Sequence, residues 1–306
     1  MGSGDGDRWS TWLREQRFRG GERQSRTEDD IDGLRDRVLD RATIEPGDTV
    51  LDVGAGDGLI GLGAAERVGP DGTVIFCDIS EPLLAGARAE AKRRGIHDRC
   101  AFVPARAETL APFKPNSVDV VTLRSVLVYV TEKRAAFEAF ADVLKPGGHV
   151  SLFEPIHQGV PTAENGTETF IGYDIERLNR PIPDAVAALP AKIQAYRNQA
   201  SPDLESAVDF DERDLFRFAE FAGFEDIHLD FSAWSTTHWE TEDWEAWLDS
   251  SYAPGVPTNR EAINAALTPA EKQRFVEYVR PLVEGRTPTD DRGATAYLCA
   301  SLPADR

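Results

Sequence analysis

Residues 50–61 read VLDVGAGDGLIG, an apolar strand that runs straight into a glycine-rich turn. This junction constrains the fold more than any other stretch. Glycine has no Cβ, so such a turn lets a ligand approach the backbone and reaches conformations closed to other residues. The sequence continues as a helix from Gly58 to Val68, closed by Gly69-Pro70-Asp71-Gly72. A second apolar strand, Thr73 to Cys77, ends at Asp78. Helix then spans Pro82 to Arg94, and strands follow at Cys100 to Val103 and Val118 to Leu123. Thr131 to Leu144 reads as helix, stopped by Lys145-Pro146-Gly147-Gly148, and His149 to Phe153 as strand. Strands alternating with helices predict right-handed crossovers and an α/β fold with a doubly wound, mostly parallel sheet. The strands are continuous apolar runs, as expected where both faces are covered. In such a sheet the ligand sits outside the C-terminal strand ends, where the glycine turn lies.

Three ligand classes suit a loop of this kind. The phosphate-loop pattern needs a lysine after its last glycine, and none follows here. The dinucleotide pattern Gly-x-Gly-x-x-Gly is matched by Gly56, Gly58 and Gly61. A third pattern, acid-x-Gly-x-Gly-x-Gly, is matched from Asp52 to Gly58. It sets a carboxylate two residues before the turn, able to accept hydrogen bonds from a bound amino group or from water.

The ordered set of further blocks separates the last two patterns. It comprises Asp78, Ala105-Arg106-Ala107-Glu108-Thr109-Leu110, Val118-Asp119-Val120-Val121, Val126 to Val130, and Val143 to Val150. Together with residues 50–61 they resemble class I S-adenosylmethionine-dependent methyltransferases of the broad ubiquinone-biosynthesis-like superfamily, over about residues 45–155. The resemblance implies a Rossmann-like seven-stranded sheet with helical cap insertions, and S-adenosylmethionine as cofactor. It implies cofactor contacts at Asp52, Gly54, Ala55, Gly56, Gly58, Asp78, Ile79, Arg106, Ala107, Glu108 and Arg124. The two oxygens of Asp78 suit a vicinal diol, here the ribose. Ala107 and Glu108 fall at the adenine edge, and Arg106 replaces the acid usual in the family. Arg124 follows the fourth strand, near where the cofactor carboxylate or the substrate belongs.

Methyl transfer from a sulfonium is an in-line displacement that needs alignment and a dry site more than chemistry from side chains. Glu154 and His157, at the end of the fifth strand, are the local candidates for a catalytic base. A non-catalytic cofactor-binding partner or sensor is the alternative that lacks any need for a base. No metal site is expected. Three scattered cysteines exclude an arsenic-holding cluster and suggest a reducing, cytoplasmic setting.

The formal net charge is −19, which repels phosphate backbones and argues for a small-molecule acceptor rather than nucleic acid. No run reaches the roughly 18 apolar residues of a membrane helix. Residues 1–44 read as an N-terminal helical lid, with Trp9, Trp12 and Leu13 on one face and Gly20-Gly21 as hinge. Residues 45–155 form the cofactor core. Residues 156–306 complete the sheet around an inserted cap at about 156–210 and 233–293. Trp9, Trp12, Tyr173 and Trp234 are the expected substrate contacts, suited to a bulky or aromatic acceptor.

Overall fold

The computed structural model describes residues 5–16, 21–158, 169–171, 173–174, 180–200 and 207–305. Gly20 of the expected hinge lies outside the described residues. The chain opens with α1 (Asp5–Thr11), prolonged by a wider helical turn at Trp12–Gln16, and α2 (Gly21–Arg41). The expected alternation follows: β1 (Thr49–Val53), α3 (Leu59–Arg67), β2 (Thr73–Asp78), α4 (Glu81–Arg93), β3 (Cys100–Pro104), β4 (Val118–Arg124), α5 (Lys133–Val143) and β5 (Leu144–Ile156). Two short strands, β6 (Thr169–Phe170) and β7 (Tyr173–Asp174), lead to the helices α6 (Asp184–Ala187) and α7 (Leu189–Ala200). Helix α8 (Glu212–Phe221) feeds β8 (Glu225–Glu240). Three cap helices, α9 (Trp244–Asp249), α10 (Asn259–Ala266) and α11 (Pro269–Glu284), precede β9 (Thr287–Ser301).

The sheet holds the expected seven-stranded core in the order β3-β2-β1-β4-β5-β9-β8. The first five strands are parallel, and β9 enters antiparallel between β5 and β8. Two strands are additional: β7 pairs at Tyr173 with Thr289 of β9, and β6 pairs with β7. Alternate residues face opposite layers. Leu51 and Val53 join Phe137, Phe140 and Leu215 under α5 and α8, while Val50 and Phe76 join Leu39, Ala64 and Leu84 under α2, α3 and α4. The cap has its own core, with Phe170, Ile193, Trp244, Ile263 and Phe275. Among the described residues no helix is long and apolar enough to cross a membrane.

Two boundaries differ from those read in the sequence. Lys145-Pro146-Gly147-Gly148 does not stop the chain before a new strand; it lies inside β5, where the register on β4 shifts between Val118 and Val120. Gly147, at φ +75°, absorbs the irregularity. Residues 233–240 and 287–293 are not cap loops, since they prolong the β8–β9 hairpin, with Trp234 opposite Gly293 and Glu240 opposite Thr287. The inserted helices occupy the stretch between these strand ends.

Candidate functional site

The glycine turn leaves β1 at the C-terminal edge of the sheet. Gly54, Gly56 and Gly58 all have positive φ, at 64°, 56° and 98°. The turn is tied to β2 by the Ala55 N–H, which donates to the Cys77 carbonyl at 2.9 Å. Gly54 is also packed: a Cβ there would lie 2.3 Å from Cγ2 of Val126. Asp52 holds the far side of the turn. Its carboxylate accepts from the Gly61 N–H at 2.8 Å and from the Thr122 hydroxyl at 3.1 Å. Each oxygen of this buried side chain thus takes one donor from the protein, which braces the turn against α3 and β4. Burial lifts its pKa to about 7.

Asp78 closes β2 beside the turn. One oxygen accepts from the Gly56 N–H at 2.8 Å and the other from the Ser80 N–H at 2.8 Å. A carboxylate has about four acceptor sites, so each oxygen retains capacity for a ligand. Burial raises this carboxyl above its ordinary pKa, opposed by the backbone donors. Ser80, not Asp78, caps α4, accepting from the Leu83 N–H at 3.3 Å. Ile79 between them is half-buried. Ala107 is buried and Glu108 largely so, while Arg106 is exposed and reaches the Glu108 carboxylate at 3.3 Å.

At the end of β4 the Arg124 guanidinium is drawn below its ordinary pKa by burial, with Asp57, Glu154 and Asp52 opposing the shift from a distance. It forms no salt bridge among the described residues. Glu154, expected as a base, is fully buried and accepts hydrogen bonds from three successive amides, Val126, Leu127 and Val128. It is not poised to take a proton from a substrate. His157, just beyond β5, is exposed, and partial desolvation lowers its pKa.

The N-terminal helix lies across this edge. Trp9 stacks edge-on against Tyr129 with centroids 4.6 Å apart, and Leu13 comes within 3.6 Å of a Cβ built on Gly56. Trp12 is buried and donates its indole N–H to the Ser251 carbonyl of the cap at 3.0 Å, while Arg14 donates to the Pro82 carbonyl at 3.0 Å. Trp12 therefore ties the N-terminal helix to the segment between α9 and α10. The Trp9 indole N–H is buried with no hydrogen-bond partner among the described residues. The side chain of Tyr173 lies outside the described residues. Trp234 sits on β8, four strand steps from β1, which is about 19 Å at roughly 4.8 Å per step. With Gln158, Asp211 and Arg292 it lines an open cavity of about 730 Å³ away from the glycine turn. Trp244 and Trp247 stack on each other at 5.0 Å within the cap. The sequence reading missed Thr122, Val126 and Tyr129; the apolar block at Val126 to Val130 was visible but gave no hint that its amides face Glu154. Among the described residues no group of three metal-ligating side chains forms.

The family model described as a methyltransferase domain matches residues 50–148. The ubiquinone/menaquinone biosynthesis C-methyltransferase UbiE of Ectopseudomonas mendocina is 36% identical over 147 residues, 46% of this chain and 57% of that protein. The nocamycin O-methyltransferase of Saccharothrix syringae is 31% identical over 194 residues, 63% of this chain and 66% of that protein. The chain spans about half the length of most curated relatives it matches. Among solved structures, the YcgJ protein of Bacillus subtilis aligns with a TM-score of 0.53 at 16% identity, over 90% of this chain and 99% of that one. A phosphoethanolamine N-methyltransferase of Haemonchus contortus, in complex with phosphomonomethylethanolamine and S-adenosylhomocysteine, aligns at 0.51 and 17% identity, over 89% of this chain and 52% of that one. These two share the fold.

Proposed function

Because the chain belongs to the class I S-adenosylmethionine-dependent methyltransferases, we propose that it methylates a small organic acceptor from that cofactor. The observation that carries the reading is the meeting of the bare Gly54–Gly58 turn with the buried Asp78 carboxylate at the C-terminal edge of a parallel sheet. The residues fit the group. Gly54 and Gly56 leave backbone open to the amino-acid portion. Asp78 has acceptor capacity for both ribose hydroxyls. Ala107 and Glu108 suit the adenine edge, and Arg124, with no salt-bridge partner among the described residues, offers a cation to the carboxylate.

When bound, S-adenosylmethionine supplies a methyl group already activated on a sulfonium. The protein's work is then to orient the acceptor and keep water out. His157, held neutral near pH 7 by its lowered pKa, is the side chain suited to accept the acceptor's proton. Trp9 and Tyr129 support a bulky or aromatic acceptor, and the net charge of −19 opposes nucleic acid. The division into lid (1–44), core (45–155) and sheet completion with cap (156–306) is part of this reading.

Titration calorimetry with S-adenosylhomocysteine and a nicotinamide dinucleotide tests the cofactor. Binding of the first and not the second is expected; the reverse would overturn the reading. Release of S-adenosylhomocysteine from S-adenosylmethionine with a metabolite extract tests catalysis. If no acceptor supports turnover, the chain is a cofactor-binding partner instead.

The lid is testable separately. Removing residues 1–20 takes away Leu13 over Gly56 and Trp9 on Tyr129. Losing the half-buried Leu13 contact, at about 1.5 kcal/mol, should weaken S-adenosylhomocysteine binding about tenfold and remove most methyl transfer. Ligand should also slow amide exchange in residues 9–16. A truncated protein with full activity, and exchange unchanged by ligand, would leave α1 as a static packing helix.

A further inference from the structure

We infer that Glu154 is a positioning residue: its carboxylate holds the Ser125–Val130 turn so that Val126 seats the glycine loop, Arg124 faces the cleft and Tyr129 receives the N-terminal helix. The inference rests on the cofactor reading above and assigns Glu154 a task inside it.

The geometry starts at the end of β5. Glu154 has no solvent exposure. Its Oε1 accepts from the Val126 N–H at 2.8 Å and the Leu127 N–H at 2.9 Å, and its Oε2 from the Val128 N–H at 3.1 Å. Three successive amides can converge on one carboxylate only where the chain turns tightly, and here it forms a single turn of 3₁₀ helix at Leu127–Tyr129. These are the amides that an unsupported helical turn leaves without acceptors. The turn is strained as well, since Ser125 sits at φ +54°, a left-handed conformation costly for a residue with a Cβ. Its N–H donates to the Phe153 carbonyl at 2.8 Å. The whole segment therefore hangs on β5, by the backbone of Phe153 and the side chain of Glu154.

What the turn carries is the cleft. Val126 lies directly against Gly54, where a Cβ would approach its Cγ2 to 2.3 Å. Tyr129 takes the edge of Trp9 at 4.6 Å. Arg124 immediately precedes the turn and feels the Glu154 charge. A carboxylate that holds three backbone donors and has no path to solvent is not placed to abstract protons from a ligand. Its effect passes through the residues it holds. Those residues bound the amino-acid end of the cofactor site, whereas Asp78 and Ala107 bound the nucleoside end.

That asymmetry gives the experiment. Binding of S-adenosylhomocysteine and of adenosine is measured on the full chain for wild type, Glu154→Gln and Glu154→Ala, with amide exchange of residues 126–128 and a thermal melt for each. Glutamine keeps one acceptor oxygen but turns an amide nitrogen toward a backbone N–H, so one bond is lost; alanine loses all three. S-adenosylhomocysteine should bind about tenfold more weakly to the glutamine variant and about a hundredfold more weakly to the alanine variant. Adenosine affinity should stay within about twofold of wild type, because its contacts lie apart from the turn. Exchange at Val126–Val128 should quicken in the same order. If alanine prevents folding, glutamine alone carries the comparison. Equal losses for both ligands, or unchanged S-adenosylhomocysteine binding with faster exchange, would overturn the inference and leave the cofactor reading standing. A wild type that binds neither ligand would remove both.

Discussion

Gly54→Val should abolish detectable binding of S-adenosylhomocysteine, a loss of about a thousandfold. Two effects add. Gly54 sits at φ +64°, where an L-residue costs roughly 1–2 kcal/mol and a β-branched one is least tolerated. The new Cβ would also lie 2.3 Å from Cγ2 and 3.1 Å from Cγ1 of Val126. Val126 has little room to retreat, because its amide is held by Glu154. Overpacking of this kind costs about 1–3 kcal/mol. The strain and collision fall where the backbone must remain open to the ligand. Gly56→Ala is the informative control. Its φ of 56° imposes similar strain, yet among the described residues a Cβ there would meet only Leu13 Cδ2, at 3.6 Å. It should bind more weakly than wild type and more tightly than Gly54→Val. Calorimetry, with circular dichroism to confirm the sheet, decides; a valine variant binding within tenfold of wild type would show that the ligand does not approach Gly54.

Asp78→Ala should lower the affinity for S-adenosylhomocysteine and for adenosine alike, by at least about a hundredfold. The carboxylate gives acceptors to the Gly56 and Ser80 amides and, in the proposed complex, to both ribose hydroxyls. Hydrogen bonds to a charged group contribute roughly 1.5–3 kcal/mol each, so two lost bonds account for the effect. Asp78→Asn keeps one acceptor oxygen and the side-chain shape, and should lose about tenfold. The parallel loss of both ligands distinguishes this residue from Glu154, whose variants should spare adenosine. Asparagine and alanine variants that both bind adenosine as wild type would move the ribose elsewhere.

Much of the core was legible because its signals are local. Continuous apolar runs marked β1, β2 and β4, and glycine or proline clusters marked the helix ends. Thr268 is the N-cap of α11, where Thr-Pro-Ala-Glu forms a capping box. The roles of Asp52 and Glu154 were not legible. Each was recognisable as an acid beside the site, but their partners lie at Thr122 and at residues 126–128. Only the pairing of β1 with β4, and of β4 with β5, brings them together. The hairpin extension failed for a related reason. Residues 233–240 and 287–293 are strand because they face each other across the inserted helices, and neither half carries a strong period of two. Within the cap, Trp244 belongs to the core, stacked on Trp247. Composition does not tell a lining from a packing residue.

The position of β9 has a consequence for how the chain is made. Its residues 294–301 fill the space between β5 and β8, so β5 has no partner on that side until residue 301 has left the ribosome. Residues 149–156 of β5 then present a row of unpaired backbone groups beside a largely buried apolar face. The nascent protein passes through a stage in which the cofactor-side strands can pair while one of their edges stays adhesive. Chains shortened before Thr287 retain that edge permanently. They are expected to be recovered mainly as aggregates, whatever the intrinsic order of their first half.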